Sequence, residues 1–497
     1  MEDPPVEAPA YVGDGAAYNG RPGAGSPPLS APLAFLAAHE RLAVWTLVAV
    51  ALLLRLLFLE SVPNTATADE LDFSGDLTNI MVGHGPGLFG LDWTPEPALS
   101  IYLMAGSWKL FGMTLFAERL VSAVFSAIAV IPFYALARRV VSAPAAYLAA
   151  LLFVAARWYL LFSRSAWNNA HVVLYMLLGA WALTLALERG KMRYWIGFGV
   201  SLALLLYGYF SGRAVVIAFM AYLLIVLWRR VRGTEPGGWR PVVVGEIVAT
   251  AVGAVLFAPE LPTIASNYAL FSQRTASVYI FNQPLPPGQS RLGVLVGLAW
   301  DTVRSFVLMD GSFQGGTQGR YKAPGDGWLD PLSTLLYLAG LVLSVLTIQR
   351  LKACALWWCL LLIPLGITQL LTSGTPDGAR GLPAVAPMYF FAALVIEQLL
   401  RLKWSRDRWL QRGAVTVAAL IVTFNVWTYV AWVDSPGAQQ VRQPAVPVDG
   451  YYIWRDYQLA RHRANLPYMT VGQYNTLPPS VIAAQIFGAP PAGVTTP

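Results

Sequence analysis

Carboxylates gather in one short stretch of the chain, residues 64–97, directly after the first long apolar run. Only 12% of the 497 residues are charged, yet this stretch holds Asp69, Glu70, Asp72, Asp76, Asp92 and Glu96. A carboxylate beside low-dielectric lipid can act as a general base, which typically accelerates a reaction by about 10²–10⁴-fold. We therefore predict that the chemistry of this protein takes place in this stretch.

Asp69 and Glu70 follow the first predicted span by about nine residues. Thr67 and Glu70 have the spacing of a capping box, in which Glu70 would only begin a short helix. That box does not use Asp69. Asp69, Asp72 and Asp76 are spaced i, i+3 and i+7 on one helical face, and the last two favour a solvated face. Asp69 is thus the predicted base, while Glu70 is either a cap or its catalytic neighbour.

Basic side chains at the outer ends of apolar runs are the natural complement to a phosphate. Residues with this position are Lys109, Arg119, Arg164, Arg213 and Arg380. Arg55 and Arg157 fall within predicted spans, where charge is costly and marks a functional site by default. An arginine near a span end can also extend to the headgroups, and this alternative stays open for both.

The composition is that of a polytopic helical membrane protein. Hydrophobic residues make up 56% of the chain, and the charged share of 12% is about half that of a typical soluble protein. Apolar runs long enough to cross a bilayer recur from residue 42 to residue 433. The net charge of +7 comes from basic residues scattered over short loops, which indicates attraction to anionic lipid and argues against nucleic-acid binding.

Metal and redox chemistry find little support in the sequence. The chain has four histidines, and His84 has no partner at metal-ligand spacing, so a zinc site is not expected. A divalent metal held by carboxylates is possible but not implied, and no cofactor is predicted to be required. Cys354 and Cys359 lie in one apolar run and are predicted to be core residues without a disulfide.

Eleven spans are predicted, so the two termini lie on opposite sides of the membrane. The spans cover about residues 42–60, 116–138, 144–162, 169–188, 193–210, 213–229, 241–260, 332–349, 354–372, 382–400 and 413–433. Five basic loops, at 138–139, 189–193, 229–240, 350–352 and 401–412, then fall on one side, which the positive-inside rule makes cytoplasmic. The prediction is a multi-pass protein of the cytoplasmic membrane with its N-terminus inside and its C-terminus outside.

The predicted domains follow from this topology. Residues 1–33 are expected to be a disordered cytoplasmic tail, residues 34–433 the transmembrane domain, and residues 434–497 an outer tail that serves as a lid or packing element. Within the transmembrane domain, residues 61–115 and 261–331 form the two large outer loops.

Each large outer loop contains one segment that is predicted to lie at the membrane interface. Residues 98–111 make only about 21 Å of helix, too short to cross a core of about 30 Å, and Trp108 and Lys109 suit a headgroup position. Residues 292–309 fit an amphipathic surface helix. Both segments could wall a cavity beside the acidic stretch.

Several short motifs occur in an order that resembles the membrane glycosyltransferases of the GT-C class. They are the Asp69-Glu70 pair after the first span, Pro97-x-Leu99, Tyr102-Leu103, Lys109-Leu-Phe-Gly112, Glu118-Arg119-Leu120, Ser163-Arg164 and Arg380-Gly-Leu-Pro383. Over about residues 42–433 the chain is similar to protein O-mannosyltransferases, the aminoarabinose lipid A transferase and bacterial glycosyltransferases of family 39. The resemblance implies an all-α polytopic fold, a GT-C-like bundle of about eleven transmembrane helices with a catalytic first outer loop and interfacial helices.

The resemblance also implies a reaction. The family transfers a sugar from a polyprenyl-phosphate carrier to a hydroxyl of a lipid, glycan or protein acceptor on the outer side, as in cell-envelope glycosylation. Asp69 would match the family's catalytic acidic residue in the first outer loop, with Glu70 as its neighbour. Arg380, with Arg164 and Arg213, would hold the donor phosphate. The remaining candidates, Glu96, Asp72 and Arg119, would support the acceptor or the loop.

Three departures from the family pattern affect this expectation. The family often has two prolines where Pro97-Ala98 stands, and the lysine of the aminoarabinose branch is Glu96 here. The acid that is common in the second outer loop is replaced around Asn168-Asn169. A mechanism that needs two carboxylates, or a metal, is therefore less expected.

A transporter or flippase of polyprenyl lipids or glycolipids is the main alternative function. Such a protein would show inverted repeats and polar groups near the bilayer midplane. The sequence shows no internal repeat, and its ionisable groups gather at one face. A structural subunit would need no acidic loop. The sequence therefore favours the transferase, with membrane lipids as further partners.

Overall fold

The computed structural model describes residues 31–310, 322, 326–401, 408–441, 445–466, 469, 471–474, 476–478 and 481, and it is almost entirely helical. The α-helices are α1 Ala31–Ala38, α2 Glu40–Leu56, α3 Ala68–Met81, α4 Leu99–Phe111, α5 Leu115–Ile128, α6 Val130–Ala137, α7 Ala143–Ala155, α8 Arg157–Ser163, α9 Asn169–Arg189, α10 Met192–Tyr207, α11 Ser211–Val231, α12 Trp239–Phe257, α13 Leu261–Ser266, α14 Tyr268–Val278, α15 Arg291–Thr302, α16 Pro331–Val345, α17 Ile348–Ala353, α18 Ala355–Leu365, α19 Gly378–Gly381, α20 Val385–Arg401, α21 Arg408–Val433, α22 Pro436–Val441, α23 Val448–Arg463 and α24 Val471–Tyr474.

Short helical turns and one small sheet complete the described part of the chain. The 3₁₀ turns are Ala258–Glu260, Ile280–Asn282 and Leu382–Ala384, and the π-helical turns are Val303–Val307 and Gly366–Leu370. Strands β1 (Thr65–Thr67) and β2 (Ala445–Pro447) pair antiparallel, with Ala66 opposite Val446. The sheet joins the start of the acidic loop to the C-terminal segment.

Each of the eleven predicted spans coincides with helical structure, which confirms the helical membrane fold. In the described residues, seven helices are long and apolar enough to cross a membrane, or eight if α7 and α8, which bend by 56°, form one span. Helices α10 and α16 are apolar but shorter, so the count of eleven is not confirmed. Free, buried Cys354 and Cys359 lie in the core, as predicted.

The buried side chains form two clusters that divide the molecule. The larger one lies among the membrane helices and is rich in leucine, alanine and aromatic residues. The smaller one lies under the acidic loop and combines Leu71 of α3 and Trp108 of α4 with Tyr451 and Trp454 of α23. Because α23 contributes large aromatic residues to this second cluster, the C-terminal segment packs as part of the acidic loop's own core.

Three local expectations change in the structure. Residues 98–111 do form a helix, but Trp108 is buried while Lys109 is exposed, because α4 packs on α3 and α5. Residues 292–309 divide into α15 and a π-helical turn. Arg55 does not extend to a headgroup: it is buried, and its Nε donates to Ser126 Oγ at 2.7 Å.

Candidate active site

Helix α3 begins with a capping box, and Asp69 and Glu70 lie in its first turn. The Glu70 backbone N–H donates to Thr67 Oγ1 at 3.3 Å, and the Thr67 N–H donates to Glu70 Oε2 at 2.9 Å. These bonds satisfy backbone donors that the start of a helix otherwise leaves unpaired. The capping box that the sequence predicted is therefore confirmed, with half-buried Asp69 in the same turn.

Glu70 also forms a fully buried ion pair with Arg119, whose Nε lies 2.8 Å from Glu70 Oε1. The Nη atoms of Arg119 donate to Glu70 Oε2 and to the carbonyl oxygens of Leu59, Glu60, Pro63 and Thr65. Glu70 Oε1 accepts a further hydrogen bond from the Ala166 N–H. Both oxygens of Glu70 are thus engaged in holding the loop, which leaves Asp69 as the better candidate for the base.

Arg164 is tied to the end of helix α2 and is not presented as an open phosphate ligand. Its Nε and both Nη atoms donate to carbonyl oxygens, with distances of 2.6–3.2 Å, of Leu54, Arg55, Leu57, Phe58 and Val62. These carbonyls belong to the last turn of α2 and the loop after it, where helix carbonyls have no partner within the helix. The structure therefore gives no support to Arg164 as a ligand of the donor phosphate.

Three consecutive residues between α8 and α9 connect the two acidic parts of the loop. The Ala166 N–H and the Trp167 indole Nε1 contact the first turn of α3 and its cap. The next residue, Asn168, donates from Nδ2 to Glu96 Oε2 at 2.6 Å. Since successive Cα atoms are about 3.8 Å apart, the start of α3 and Glu96 lie in one small region.

Glu96 is buried and accepts two hydrogen bonds, one from Asn168 and one from the Phe210 N–H at 2.9 Å. Burial, and then the charge of Asp92, raise the pKa of Glu96. The Asn168–Glu96 contact brings together two of the three positions at which the sequence departs from the family pattern. An acid at position 168 would face another carboxylate, whereas the Asn168 amide donates to it.

Asp92 and Asp76 are buried, and their carboxylates interact electrostatically. Asp92 Oδ1 accepts bonds from the Thr94 N–H, the Thr94 hydroxyl and the Glu96 N–H, which closes the turn that presents Glu96. Asp76 Oδ2 accepts from the Trp93 N–H at 2.9 Å. Burial, followed by the neighbouring Asp92 charge, raises the pKa of Asp76 to about 8. The expectation that Asp76 is solvated is therefore wrong, because the 92–97 turn covers it.

Asp72, on the same helix, is half-buried. Its Oδ1 accepts a hydrogen bond from the Val471 N–H at 3.3 Å. This contact places Asp72 against the C-terminal segment, where it supports the loop.

Arg213 is held between two aromatic rings rather than by backbone carbonyls. Its guanidinium carbon lies 4.8 Å from the centroid of Phe210 and 4.5 Å from that of Phe271. Arg213 and Glu96 also attract each other electrostatically. Among the residues that the structure describes, the Arg213 guanidinium has no hydrogen-bond acceptor, so its donors are available to an anion.

Arg380 lies on the short helix α19 and reaches back over the preceding loop. Its Nη1 donates to Thr372 Oγ1 and to the Ser373 carbonyl, both at 2.8 Å, and its Nε lies 3.6 Å from Asp377 Oδ2. The Ser373 N–H in turn donates to the Val278 carbonyl at the end of α14. Phe271, which contacts Arg213, lies seven residues earlier on α14, about 10 Å along its axis. Both arginines therefore border the same helix.

The C-terminal segment packs on the acidic loop through hydrogen bonds and a strand pairing. Trp454 Nε1 donates to the Leu71 carbonyl at 2.8 Å, and the Tyr451 hydroxyl donates to Glu118 Oε2 at 2.5 Å. Strand β2 pairs with β1, which ends one residue before α3, and Tyr452 bonds to Glu60. The described part of the C-terminal segment is therefore packed against the acidic loop.

The described residues contain no group of three His, Cys, Asp or Glu side chains that could hold a metal ion. The carboxylates of Asp76, Asp92 and Glu96 each accept a hydrogen bond from a backbone N–H group. The structure thus offers no preformed carboxylate cage in this part of the chain.

Sequence reasoning missed the buried role of Asp92 and the contribution of the C-terminal aromatic residues. The segment Asp92-Trp-Thr-Pro-Glu96 does contain a signal for the role of Asp92. An aspartate side chain can accept a hydrogen bond from the backbone N–H two residues later, here that of Thr94, and so close a turn. The pairing of Trp454 with Leu71 spans 383 residues, and no local pattern indicates it.

Residues 95–257, which include Glu96, Arg119, Asn168 and Arg213, match the model of a family described as dolichyl-phosphate-mannose-protein mannosyltransferase. No curated protein sequence matches the chain.

Solved structures with a similar fold include an archaeal oligosaccharyltransferase and ArnT. One is the archaeal oligosaccharyltransferase AglB from Archaeoglobus fulgidus in complex with an inhibitory peptide and a dolichol-phosphate, with a TM-score of 0.53 and 14% identity over 88% of this chain and 61% of that chain. The other is ArnT from Cupriavidus metallidurans bound to undecaprenyl phosphate, with a TM-score of 0.50 and 15% identity over 90% of this chain and 85% of that chain. The chain spans about three-fifths of the oligosaccharyltransferase, at 61%. It has the helical fold of the GT-C class of membrane glycosyltransferases.

Proposed function

We propose that this GT-C-fold protein transfers a sugar from a polyprenyl-phosphate donor to a hydroxyl group of a lipid, glycan or protein acceptor on the outer face of the cytoplasmic membrane. The observation that carries the proposal is the connection made by residues 166–168. These residues contact the helix start that bears Asp69 and also the buried carboxylate of Glu96. Glu96 in turn attracts Arg213 electrostatically. The carboxylates are thus linked to a cation, Arg213, whose hydrogen-bond donors are available to a ligand.

In the proposed reaction, Asp69 takes the proton from the acceptor hydroxyl. The acceptor oxygen then attacks the anomeric carbon of the sugar, and the bond between that carbon and the donor phosphate oxygen breaks. The polyprenyl phosphate leaves with an additional negative charge. Arg213 and Arg380 stabilise this charge, an effect that is often the largest single contribution to catalysis.

Glu70 and Arg119 act on this reaction only by positioning. Their ion pair and the capping box hold Asp69 in the first turn of α3. Glu96 orients Arg213 and, through Asn168, the segment between α8 and α9. The reaction as written uses one carboxylate as base and requires no metal.

The test measures sugar transfer from a panel of radiolabelled polyprenyl-phosphate sugars by the purified protein in lipid. We expect Asp69→Asn to lower transfer at least about 100-fold while donor binding is retained, because the general base is lost. Asp449→Asn is the matched control, since Asp449 is an exposed aspartate in the first turn of α23. Equal transfer by wild type and Asp69→Asn would remove Asp69 from the chemistry. Tight donor binding without transfer by either protein would favour a lipid-handling function.

A further inference from the structure

Five exposed cations lie at the far end of the helical bundle from the candidate active site. They lie at the turn between α9 and α10 and at the turn between α11 and α12: Arg189, Lys191, Arg193, Arg232 and Arg240. We call these five residues the basic surface. Helix α9 begins next to Asn168, which bonds Glu96, and its 21 residues span about 30 Å, the thickness of a bilayer core. The basic surface therefore lies at the opposite membrane face, which the sequence predicts to be cytoplasmic.

Two neighbouring arginines of α11 hold these turns together. Arg230 Nη2 donates to the Leu187 carbonyl, in the last turn of α9, at 3.3 Å. Arg229 Nη1 donates to the Lys352 carbonyl of α17 at 3.5 Å. Because carbonyls in the last turn of a helix lack partners within that helix, Arg229 and Arg230 act as links between elements. The link from Arg230 brings the cations of both turns to one surface.

Negative charge is sparse at these two turns. Residues 186–193 and 229–240 together contain seven basic and two acidic residues. The acidic residues are Glu188 and Glu235, which pair with Arg139 and Arg230, outside the basic surface. The two turns therefore carry an excess of positive charge, which an anionic partner can neutralise.

Exposed aromatic rings accompany the cations of the α11–α12 turn. The guanidinium carbons of Arg232 and Arg240 each lie 5.6 Å from a ring centroid, that of Trp228 and that of Trp239 respectively. The two tryptophans are 57% and 44% exposed, and Val231 in the same turn is 62% exposed. Tryptophan beside basic residues at a span end is typical of the membrane–water interface, where the ring lies at headgroup level.

The α9–α10 turn holds two of its cations on a tyrosine. Arg189 Nη1 and Arg193 Nη2 donate to the Tyr194 hydroxyl at 2.8 Å and 3.0 Å, and both guanidinium groups lie over its ring. Each guanidinium has five N–H donors, of which this hydrogen bond uses one. Tyr194 thus places two cations side by side and leaves donors for an anion.

We propose that the basic surface binds the phosphate headgroups of anionic phospholipids in the membrane leaflet opposite the candidate active site. Phosphate oxygens accept charge-assisted hydrogen bonds from guanidinium and ammonium groups, and basic clusters at span ends attract anionic lipid. Exposed Trp228, Val231 and Trp239 favour a lipid over an acidic soluble protein, because acyl chains cover apolar side chains beside a headgroup. The proposal does not depend on the transferase reaction, since none of the residues proposed for that reaction belongs to the basic surface.

The test is a titration of the purified full chain in detergent with phosphatidylglycerol, followed by native mass spectrometry, with phosphatidylcholine as the neutral probe. We expect Arg232→Gln and Lys191→Gln, one from each turn, to weaken phosphatidylglycerol binding about 5-fold each, the equivalent of about 1 kcal/mol per basic residue. The double variant should weaken binding about 25-fold if the two contributions add. Arg291→Gln is the matched control, since Arg291 is also exposed and lies over an aromatic ring, that of Phe281, but belongs to α15.

Phosphatidylglycerol binding should also weaken as ionic strength rises, because salt screens exposed charges. The proposal is overturned if the wild type binds both lipids equally, or if the double variant binds phosphatidylglycerol like the wild type. It is also overturned if Arg291→Gln loses as much affinity as Arg232→Gln, since net charge alone would then attract the lipid. Sugar transfer should be unchanged in Arg232→Gln and Lys191→Gln, because the basic surface lies about 30 Å from the candidate active site. A protein without transferase activity would give the same binding result, so the two proposals fail separately.

Discussion

Two pairs of arginines lie at the ends of the membrane helices, and the structure uses them differently. Arg119 and Arg164 direct their donors to backbone carbonyls between residues 54 and 65, and Arg119 also pairs with Glu70. Arg213 lies beside the ring of Phe271 on α14, whereas Arg380 donates from Nη1 to Thr372 Oγ1 and to the Ser373 carbonyl. The first pair keeps the acidic loop in its shape. The second pair retains donors for a ligand.

The difference has a physical cause. The loop after α2 turns sharply and leaves carbonyls without partners inside the protein, and a planar guanidinium with five donors can satisfy several of them at once. Arg213 faces two phenylalanine rings, which attract its charge but accept few hydrogen bonds. Arg119 is thus a structural anchor because it meets unpaired carbonyls, whereas Arg213 retains donors for a ligand because it meets rings.

The largest effect is expected from replacing Arg119, a member of the first pair of arginines. Arg119→Leu leaves the buried Glu70 carboxylate uncompensated and removes the donors of four carbonyls, so we expect the free energy of unfolding to fall by about 3–5 kcal/mol. Thermal unfolding in detergent measures this change. Arg138→Leu is the matched control, because the Arg138–Glu40 pair is partly exposed and is expected to contribute at most about 1 kcal/mol. Similar losses in both variants would contradict the anchoring role of Arg119.

Removing a member of the second pair should affect activity and not stability. We expect Arg213→Gln to lower sugar transfer about 10²–10³-fold, the typical cost of one donor to a developing negative charge. Its unfolding temperature should remain close to that of the wild type. Arg240→Gln serves as control, since Arg240 is exposed and also lies over an aromatic ring, that of Trp239. A stability loss as large as that of Arg119→Leu would place Arg213 with the anchors.

The smallest effect concerns the pH dependence of the acidic loop. The pKa of Asp76 is raised by burial from 3.8 to about 8, so between these values the folded state binds more protons than the unfolded state. Stability of the loop should therefore fall as pH rises from about 4 to about 8. Hydrogen exchange of α3 across this range measures the change. Asp76→Asn should weaken this dependence, and the buried carboxyl of Glu96, whose pKa is also raised, should maintain part of it, whereas Asp449→Asn should leave it as in the wild type.

Local patterns in the sequence predicted the start of helix α3 and the positions of the membrane helices. The capping box at Thr67 and Glu70 depends on residues three positions apart, and the structure contains it. The apolar runs likewise predicted the helices, because the length and composition of one segment determine whether it can cross a bilayer. The number of crossings was not confirmed, since α10 and α16 are short.

Other features could not be predicted because they depend on distant parts of the chain. Asp76 has the helical spacing of an exposed face, but the 92–97 turn buries it. Arg164 has the position of a phosphate ligand, but it lies 109 residues from the Arg55 carbonyl that it binds. The C-terminal residues that contact α3 carry no motif of their own.

The sequence by itself determined the helical membrane architecture, the concentration of carboxylates in one loop and the cap that starts α3, because these follow from composition and from neighbouring residues. Tertiary structure alone decided which carboxylates are buried, which arginines are anchors and which retain free donors. A charged side chain acquires its role from the groups that surround it. Here those groups come from segments as far apart as residues 72 and 471.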